Sequence, residues 1–253
     1  LVICPRYAVA LTIADNGYMG LDSISLLDFS SGFQHTNSPM RILTLGKTGL
    51  PATSVKGDVS ISGKGYRIRF ENDGARRRLT AHMDNFKDGK AIDIDVTLTD
   101  VPRDSMVIAT PFPGAPKAFY YNQKINCLTA EGKCAFGDET YLFDPAESTA
   151  VLDWGRGVWT YSNTWYWGSA SGYVDGVPFG MNLGYGFGDT SAASENMLFY
   201  AGKAHKLSQV TFHIPVKDGK EDYLKPWKFT SDDGRFEMEF VPVIDRASCT
   251  EFK

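Results

Sequence analysis

Apolar and polar positions alternate in short runs over the first hundred residues. Tyr7, Val9, Leu11 and Ile13 take one side of a strand and Ala8, Ala10, Thr12 and Ala14 the other, and Asp15-Asn16-Gly17 supplies hairpin-turn chemistry into a second strand over 18–29. Within that second strand the apolar phase slips, from Met19 and Leu21 to Ile24 and Leu26 and then to Leu27 and Phe29, which predicts a bulge or sharp bend. Val59 and Ile61, then Tyr66, Ile68 and Phe70, then Ile92, Ile94, Val96 and Leu98 alternate with charged or hydroxyl neighbours. Each run predicts an antiparallel strand with one wet face. Gly63, Gly65, Gly74 and Gly89 punctuate these runs at the short spacing of a meander. No stretch of twelve or more residues carries a helical period free of Gly and Pro, so the predicted class is all-β, a sandwich or barrel.

The pattern changes at Thr110-Pro111-Phe112-Pro113-Gly114-Ala115-Pro116, which reads as a proline-rich connector dividing the chain into domains 1–115 and 116–253. Beyond it strands are expected over 133–136, 139–143, 164–173, 178–187, 197–200, 207–215 and 235–241, with one helical turn at Asp144-Pro145-Ala146-Glu147. Aromatic content rises as well. The run LDWGRGVWTYSNTWYWGSASG, from Leu152 to Gly172, holds four of the five tryptophans. Aromatic rings cover much area at low rotamer cost, so such density builds either a heavy core or a ligand wall.

Composition narrows the partners. The chain has 253 residues and a formal net charge of -4, without the basic stripe that phosphate neutralisation needs, which argues against nucleic acid. Arg76-Arg77-Arg78 reads as a solvated strand face. No apolar run approaches the ~20 residues of a membrane-crossing helix, and with no N-x-S/T sequon the expectation is a cytoplasmic protein. The chain starts at Leu1 inside strand sequence and ends soon after another strand, so it reads as a piece of a longer parent whose signal peptide, if any, is left open. Cys127 and Cys134 flank an expected turn at 130–133; a hairpin disulfide and free thiols are the alternatives, the thiols favoured, and Cys4 and Cys249 stand apart. The absence of CxxC, HxH and HExxH patterns argues against a metal site, and the GYGFG run at Gly184 lacks the following helix of a phosphate loop, so no cofactor is expected.

Candidate chemistry gathers in the tryptophan-rich stretch. Asp153 and Arg156 lie among indoles, where a charge persists only if paired. They form a structural ion pair in one reading; in the other, apolar surroundings keep Asp153 protonated as a general acid. A strand through Asn163 places Asn163, Trp165 and Trp167 on one face, offering two indole walls and an amide to a hydrophobic ligand, a sugar ring or a cation. Packing of both indoles inside a barrel is the competing account.

MVIATPF at Met106, FYYNQKINC at Phe119, the tryptophan-rich stretch at Leu152, FGMNLGYGFGDTSAASENMLFY at Phe179, KAHKLSQVTFHIP at Lys203 and FEMEFVPVIDR at Phe236 closely resemble the bacterial family catalogued as domain of unknown function 2804. That family is distantly similar to the AttH-like and carotenoid 1,2-hydratase group. Tyr120-Tyr121, Asp153-Trp154 and Trp165-Tyr166-Trp167 stand where that group has its Tyr-Tyr, Trp and Asp, and Trp-x-Trp features. The resemblance implies two consecutive lipocalin-like, calycin-type antiparallel β domains, the first lacking its opening strands and the second incomplete. It also implies acid-catalysed addition of water to an alkene, although no His adjoins Asp153 here.

The combined expectation is an aromatic-lined pocket for a hydrophobic or amphipathic small molecule, with hydratase, isomerase or cyclase chemistry. Asp153 is the candidate acid; Trp154, Arg156, Trp159, Tyr161, Asn163, Trp165, Trp167, Asn182 and Tyr185 are the candidate ligand-binding residues. A non-catalytic lipid or pigment carrier and a carbohydrate-binding module are the alternatives.

Overall fold

The computed structural model describes residues 1–247, and over them the chain is β throughout, as the alternation predicts. Thirteen strands share one sheet: β1 (Val2–Ile3), β2 (Tyr7–Asp15), β3 (Met19–Asp28), β4 (Phe33–Asn37), β5 (Met40–Ile42), β6 (Val59–Gly63), β7 (Tyr66–Asn72), β8 (Arg77–Lys87), β9 (Lys90–Thr99), β10 (Met106–Phe112), β11 (Ala115–Phe136), β12 (Glu139–Phe143) and β13 (Thr149–Val158). Its main path runs β4-β3-β2-β1-β13-β11-β9-β8-β7-β6, all neighbours antiparallel. The sheet curls until its two flanks meet: the His35 ring bonds the Phe86 carbonyl at 2.9 Å, and the Tyr66 hydroxyl donates to Asp22 at 3.0 Å. Ile24, Leu26, Ile68, Ile92 and Val96 fill the enclosed core.

Three smaller sheets complete the described fold. β14 (Tyr166–Val174), β15 (Val177–Tyr185), β16 (Met197–Tyr200) and β17 (Lys203–Lys206) form one; β18 (Val210–His213) pairs through β21 (Trp227–Ser231) with β22 (Glu237–Phe240) in the next. The short β19 (Val216–Lys217) and β20 (Lys220–Glu221) make a hairpin of their own in the connection from β18 to β21. Met181, Leu183, Leu207, Phe212 and Phe229 form a core where β15 meets β18 and β21, while Met106, Ile108, Phe112, Phe187 and Phe199 form another behind β10 and β11. No helix among the described residues is long and apolar enough to cross a membrane.

Several local expectations change. β2 and β3 pair from Tyr7 opposite Asp28 to Asp15 opposite Gly20 without a register shift, so there is no bulge. The phase slips because the inward positions of β3 include Asp22, wholly buried and held by Arg41 at 2.7 Å, while Leu21 and Leu27 take the outer face. The stretch 110–116 is a tight hairpin rather than a connector: Thr110 pairs with Tyr120, and Pro113 and Gly114 sit at the turn, where a missing N–H costs nothing. The expected division at residue 115/116 thus falls in this hairpin, and β11 supplies side chains to the cores on both sides of it.

No turn separates Cys127 from Cys134. Both lie on β11 as free thiols, with Cys4 also free, and Cys249 lies outside the described residues. Of the arginine run, Arg78 pairs with Asp95 on the wet face as expected, but Arg77 is buried and donates to the Ser54 carbonyl at 3.1 Å.

Candidate functional site

β11 changes character halfway along. Between Ile125 and Leu128 its register against β13 shifts, and Cys127 adopts a left-handed backbone with φ 61°. The shift lets Leu128, Ala130 and Cys134 fill the core of the large sheet, while Tyr120, Asn122, Lys124 and Asn126 turn inward against β14 and β15. A seam between two packed β layers is ordinarily apolar. This one is polar.

Lys124 faces Asp153 directly across the β11–β13 pair, and its Nζ lies 2.5 Å from Asp153 Oδ1. Asn122 Nδ2 donates to the same carboxyl oxygen at 2.9 Å. The lysine side chain is 4% exposed and that of Asp153 48% exposed. Lys124 Nζ also sits 4.3 Å from the centroid of the Trp167 ring, the geometry of a cation–π contact. Gly155 lies opposite Asn122, and a Cβ there would come within 2.6 Å of the Asn122 amide nitrogen, so a side chain at 155 would displace that amide.

β14 and β15 supply the other wall. Along β15 the residues facing the seam are Gly180, Asn182 and Gly184, whereas Met181, Leu183 and Tyr185 face the core shared with β18. Trp167, opposite Gly184, donates from Nε1 to Asn182 Oδ1 at 2.8 Å, and Asn182 Nδ2 donates to both the carbonyl and the Oε2 of Glu195 at 2.9 Å. Glu195 is buried, and desolvation raises its carboxyl above the ordinary glutamate value against the lowering effect of Asn182. Asn126 Nδ2 reaches Ser169 Oγ at 2.9 Å, which ties β11 to β14. The Oδ1 atoms of Asn122 and Asn126 are buried without a hydrogen-bond donor.

The residues expected from sequence therefore separate into groups. Asp153, Trp167 and Asn182 meet at the seam, but Asp153 pairs with Lys124 instead of Arg156, which is exposed, and it accepts two hydrogen bonds at the solvent boundary instead of being enclosed by rings. Trp154 turns to the outer face, edge-on to Tyr121 at 5.7 Å. Tyr185 packs with Tyr166 and Phe212 on the opposite side of β15. Only Trp167 of the expected Asn163, Trp165 and Trp167 face belongs to a strand. Asn163, Trp159, Tyr161 and Trp165 lie in or beside the loop between β13 and β14, where Trp159 and Trp165 are half-exposed and Tyr161 fully so.

Lys124, Asn122, Asn126 and Glu195 are the residues that sequence reasoning missed as a cluster. A surface depression of about 240 Å³ lies beside the β13–β14 loop. A larger one of about 400 Å³, between Tyr7 and Tyr141, has both hydroxyls committed, to the Leu142 carbonyl and to Glu139, and contains none of the seam residues.

Residues 1–253 match the profile of the family described as Domain of unknown function (DUF2804). The fold is similar to that of kievitone hydratase from Nectria haematococca, with a TM-score of 0.60 and 14% identity over 97% of this chain and 75% of that one. It is also similar to an AttH-type protein from Nitrosomonas europaea, with a TM-score of 0.58 and 14% identity over 96% of this chain and 78% of that one. No curated protein matches by sequence.

Proposed function

The chain belongs to the DUF2804 family, and from that premise we propose that it binds an amphipathic small molecule at the outer end of the polar seam, where acid–base chemistry of the hydratase or isomerase kind is available. One observation carries the reading: a buried lysine is paired with a carboxylate that reaches solvent and rests against an indole that also reaches solvent. Burying an ion pair is a poor way to stabilise a sheet, since well-packed apolar residues of similar volume are often as good or better. What the pair offers instead is fixed charge beside an aromatic wall, oriented before any ligand arrives.

In this reading Trp167 holds the ligand's apolar body and Asp153 is the carboxyl that the ligand touches. Lys124 and Asn122 aim that carboxyl, and Glu195 holds Trp167 in place through Asn182. In an addition of water, the Asp153 carboxylate takes a proton from water as the water oxygen adds to one carbon, then gives that proton to the other carbon, which restores the carboxylate. The likeness to kievitone hydratase supports this reaction class only at the level of fold. The same reading treats 1–115 and 116–253 as two lipocalin-like units, with β11 of the second pairing with β9 of the first.

Native mass spectrometry of protein purified from its own host tests the proposal. We expect a retained small molecule, lost from Trp167→Ala, and an altered product/substrate ratio in Asp153→Asn. A wild-type chain that retains nothing, and whose tryptophan emission no apolar probe such as 1-anilinonaphthalene-8-sulfonate changes, would overturn it. A molecule retained and released unchanged by both wild type and Asp153→Asn makes the chain a carrier.

A further inference from the structure

The loop between β13 and β14 builds a second feature that the seam chemistry does not use. On one side of the 240 Å³ depression stand Thr160, Ser162, Asn163 and Thr164; its floor is the backbone of Gly186 and Gly188. Both glycines are left-handed, with φ of 94° and 76°, and a Cβ at either would come within 2.8 Å of a backbone oxygen, that of Thr164 or of Pro111. The glycine-rich run after β15 is thereby explained as a floor with no room for side chains.

Phe112 and Pro113 supply the apolar lining of this depression, and Trp159 and Trp165 stand at the two ends of the loop segment 160–164 whose side chains line it. The two indoles are 51% and 52% exposed, and both stand edge-on to the Phe187 ring, at 5.4 and 4.9 Å between centroids. One buried phenyl ring therefore fixes two indoles whose remaining surface meets solvent. The loop between them is held by its own contacts: Thr160 Oγ1 donates to Asn163 Oδ1 at 2.8 Å, and Asn163 Nδ2 donates to the Thr160 carbonyl at 2.6 Å. One amide hydrogen of Asn163 stays available, as do the hydroxyls of the exposed Ser162 and Thr164.

The chemistry of the lining selects the ligand. Every hydrogen-bonding side chain of the depression is an uncharged hydroxyl or amide, and no carboxylate, lysine or arginine lines it. An anion or cation would gain no counter-charge, and a plain hydrocarbon would leave the hydroxyl rim unused. A ring with one apolar C–H face and several hydroxyls uses both parts, its apolar face against Phe112 and Pro113 and the neighbouring indoles while its hydroxyls bond to the loop.

We propose that this depression, lined by Phe112, Pro113 and the loop between Trp159 and Trp165, binds a single pyranose ring of a neutral saccharide or glycosyl group. The site shares no residue with the Lys124–Asp153 cluster and does not depend on the reading of that cluster. Titrating the chain with maltose, cellobiose, N-acetylglucosamine and chitobiose, followed by tryptophan emission and amide chemical shifts, tests it. At least one sugar should saturate, with shifts confined to residues 159–165 and 186–188, and Trp159→Ala and Trp165→Ala should each weaken binding about tenfold. Ser162→Ala and Thr164→Ala, at exposed positions that leave the packing intact, should weaken it by a smaller factor. Absence of a saturable response to all four sugars, shifts centred on residues 122–126, 153 and 182 instead, or unchanged binding in the serine, threonine and tryptophan variants would overturn the assignment.

Discussion

Lys124 and Asp153 face each other across one antiparallel pair with 2.5 Å between Nζ and Oδ1, yet the lysine is buried and the aspartate is half in water. The asymmetry predicts unequal effects of mutation. Asp153→Ala leaves a buried ammonium without its partner and should cost about 2–3 kcal/mol, below the ~3–5 of a wholly buried pair because water reaches one side. Lys124→Met leaves only a half-solvated carboxylate and fills the same volume with apolar atoms, so it should cost less than Asp153→Ala. Urea denaturation of the two variants checks the order; equal losses would place the pair on an ordinary wet face.

Glu195 should contribute a loss of stability as pH rises, the reverse of the usual carboxylate. Its carboxyl is raised by burial, so the folded state prefers the protonated form. A group raised in this way favours folding below its unfolded value, near ~4.3 for glutamate, and that contribution is lost as pH rises through the folded value. Glu195→Gln keeps an oxygen for Asn182 and removes the ionisation. The variant should gain stability relative to wild type as pH rises above about 4, levelling once the wild-type carboxyl has ionised. Denaturation midpoints measured from pH 4 to 8 that stay parallel for the two proteins would show that Glu195 does not carry this penalty.

The β class and the short strands of the first hundred residues were legible because period-two alternation reports burial directly. The seam was not. In FYYNQKIN the polar positions Asn122, Lys124 and Asn126 alternate with Tyr121, Gln123 and Ile125, and alternation alone sends the polar set to solvent. Only the register shift before Leu128, the left-handed Cys127 and the Asn126 bond to Ser169 turn that set inward. Asp153 was singled out for its indole neighbours, but its partner lies twenty-nine positions earlier on a paired strand, a pairing that no local pattern encodes. Gly132 misled for the opposite reason: a glycine between two cysteines looks like a turn, whereas it marks close backbone approach inside a long strand.

Gly132 carries a correspondingly sharp prediction. It sits opposite Val96 with φ 149°, and a Cβ there would collide with the Asp95 carbonyl oxygen and lie 2.7 Å from Val96 Cα. These are backbone atoms of the β9–β11 ladder, so the collision cannot be relieved by a rotamer change. Gly132→Ala should cost more than ~3 kcal/mol and speed amide exchange first at residues 93–98. Gly17→Ala, at a hairpin turn with open space around the added carbon, strains only its own backbone and should cost about 1 kcal/mol. A Gly132→Ala variant as stable as Gly17→Ala would mean that β9 and β11 are not in this register.

His82 gives the opposite face of the large sheet its own pH dependence. Its ring bridges Asp84, 2.9 Å from Nε2, and Asp93, 2.7 Å from Nδ1, and these two bonds raise its pKa against the opposing effects of partial burial and of Arg67. The contribution is fully present below the unfolded value near ~6.5 and is lost as pH climbs through the higher folded value. Because both carboxylates are well exposed, the effect should stay under about 1 kcal/mol and shrink in high salt. Ring proton shifts followed by NMR should therefore titrate above the unfolded value in wild type. In both Asp84→Asn and Asp93→Asn the midpoint should fall, since each carboxylate favours the charged ring. A midpoint that neither substitution moves, or a ring that titrates at the unfolded value, would mean that His82 is solvated and that neither carboxylate holds its proton.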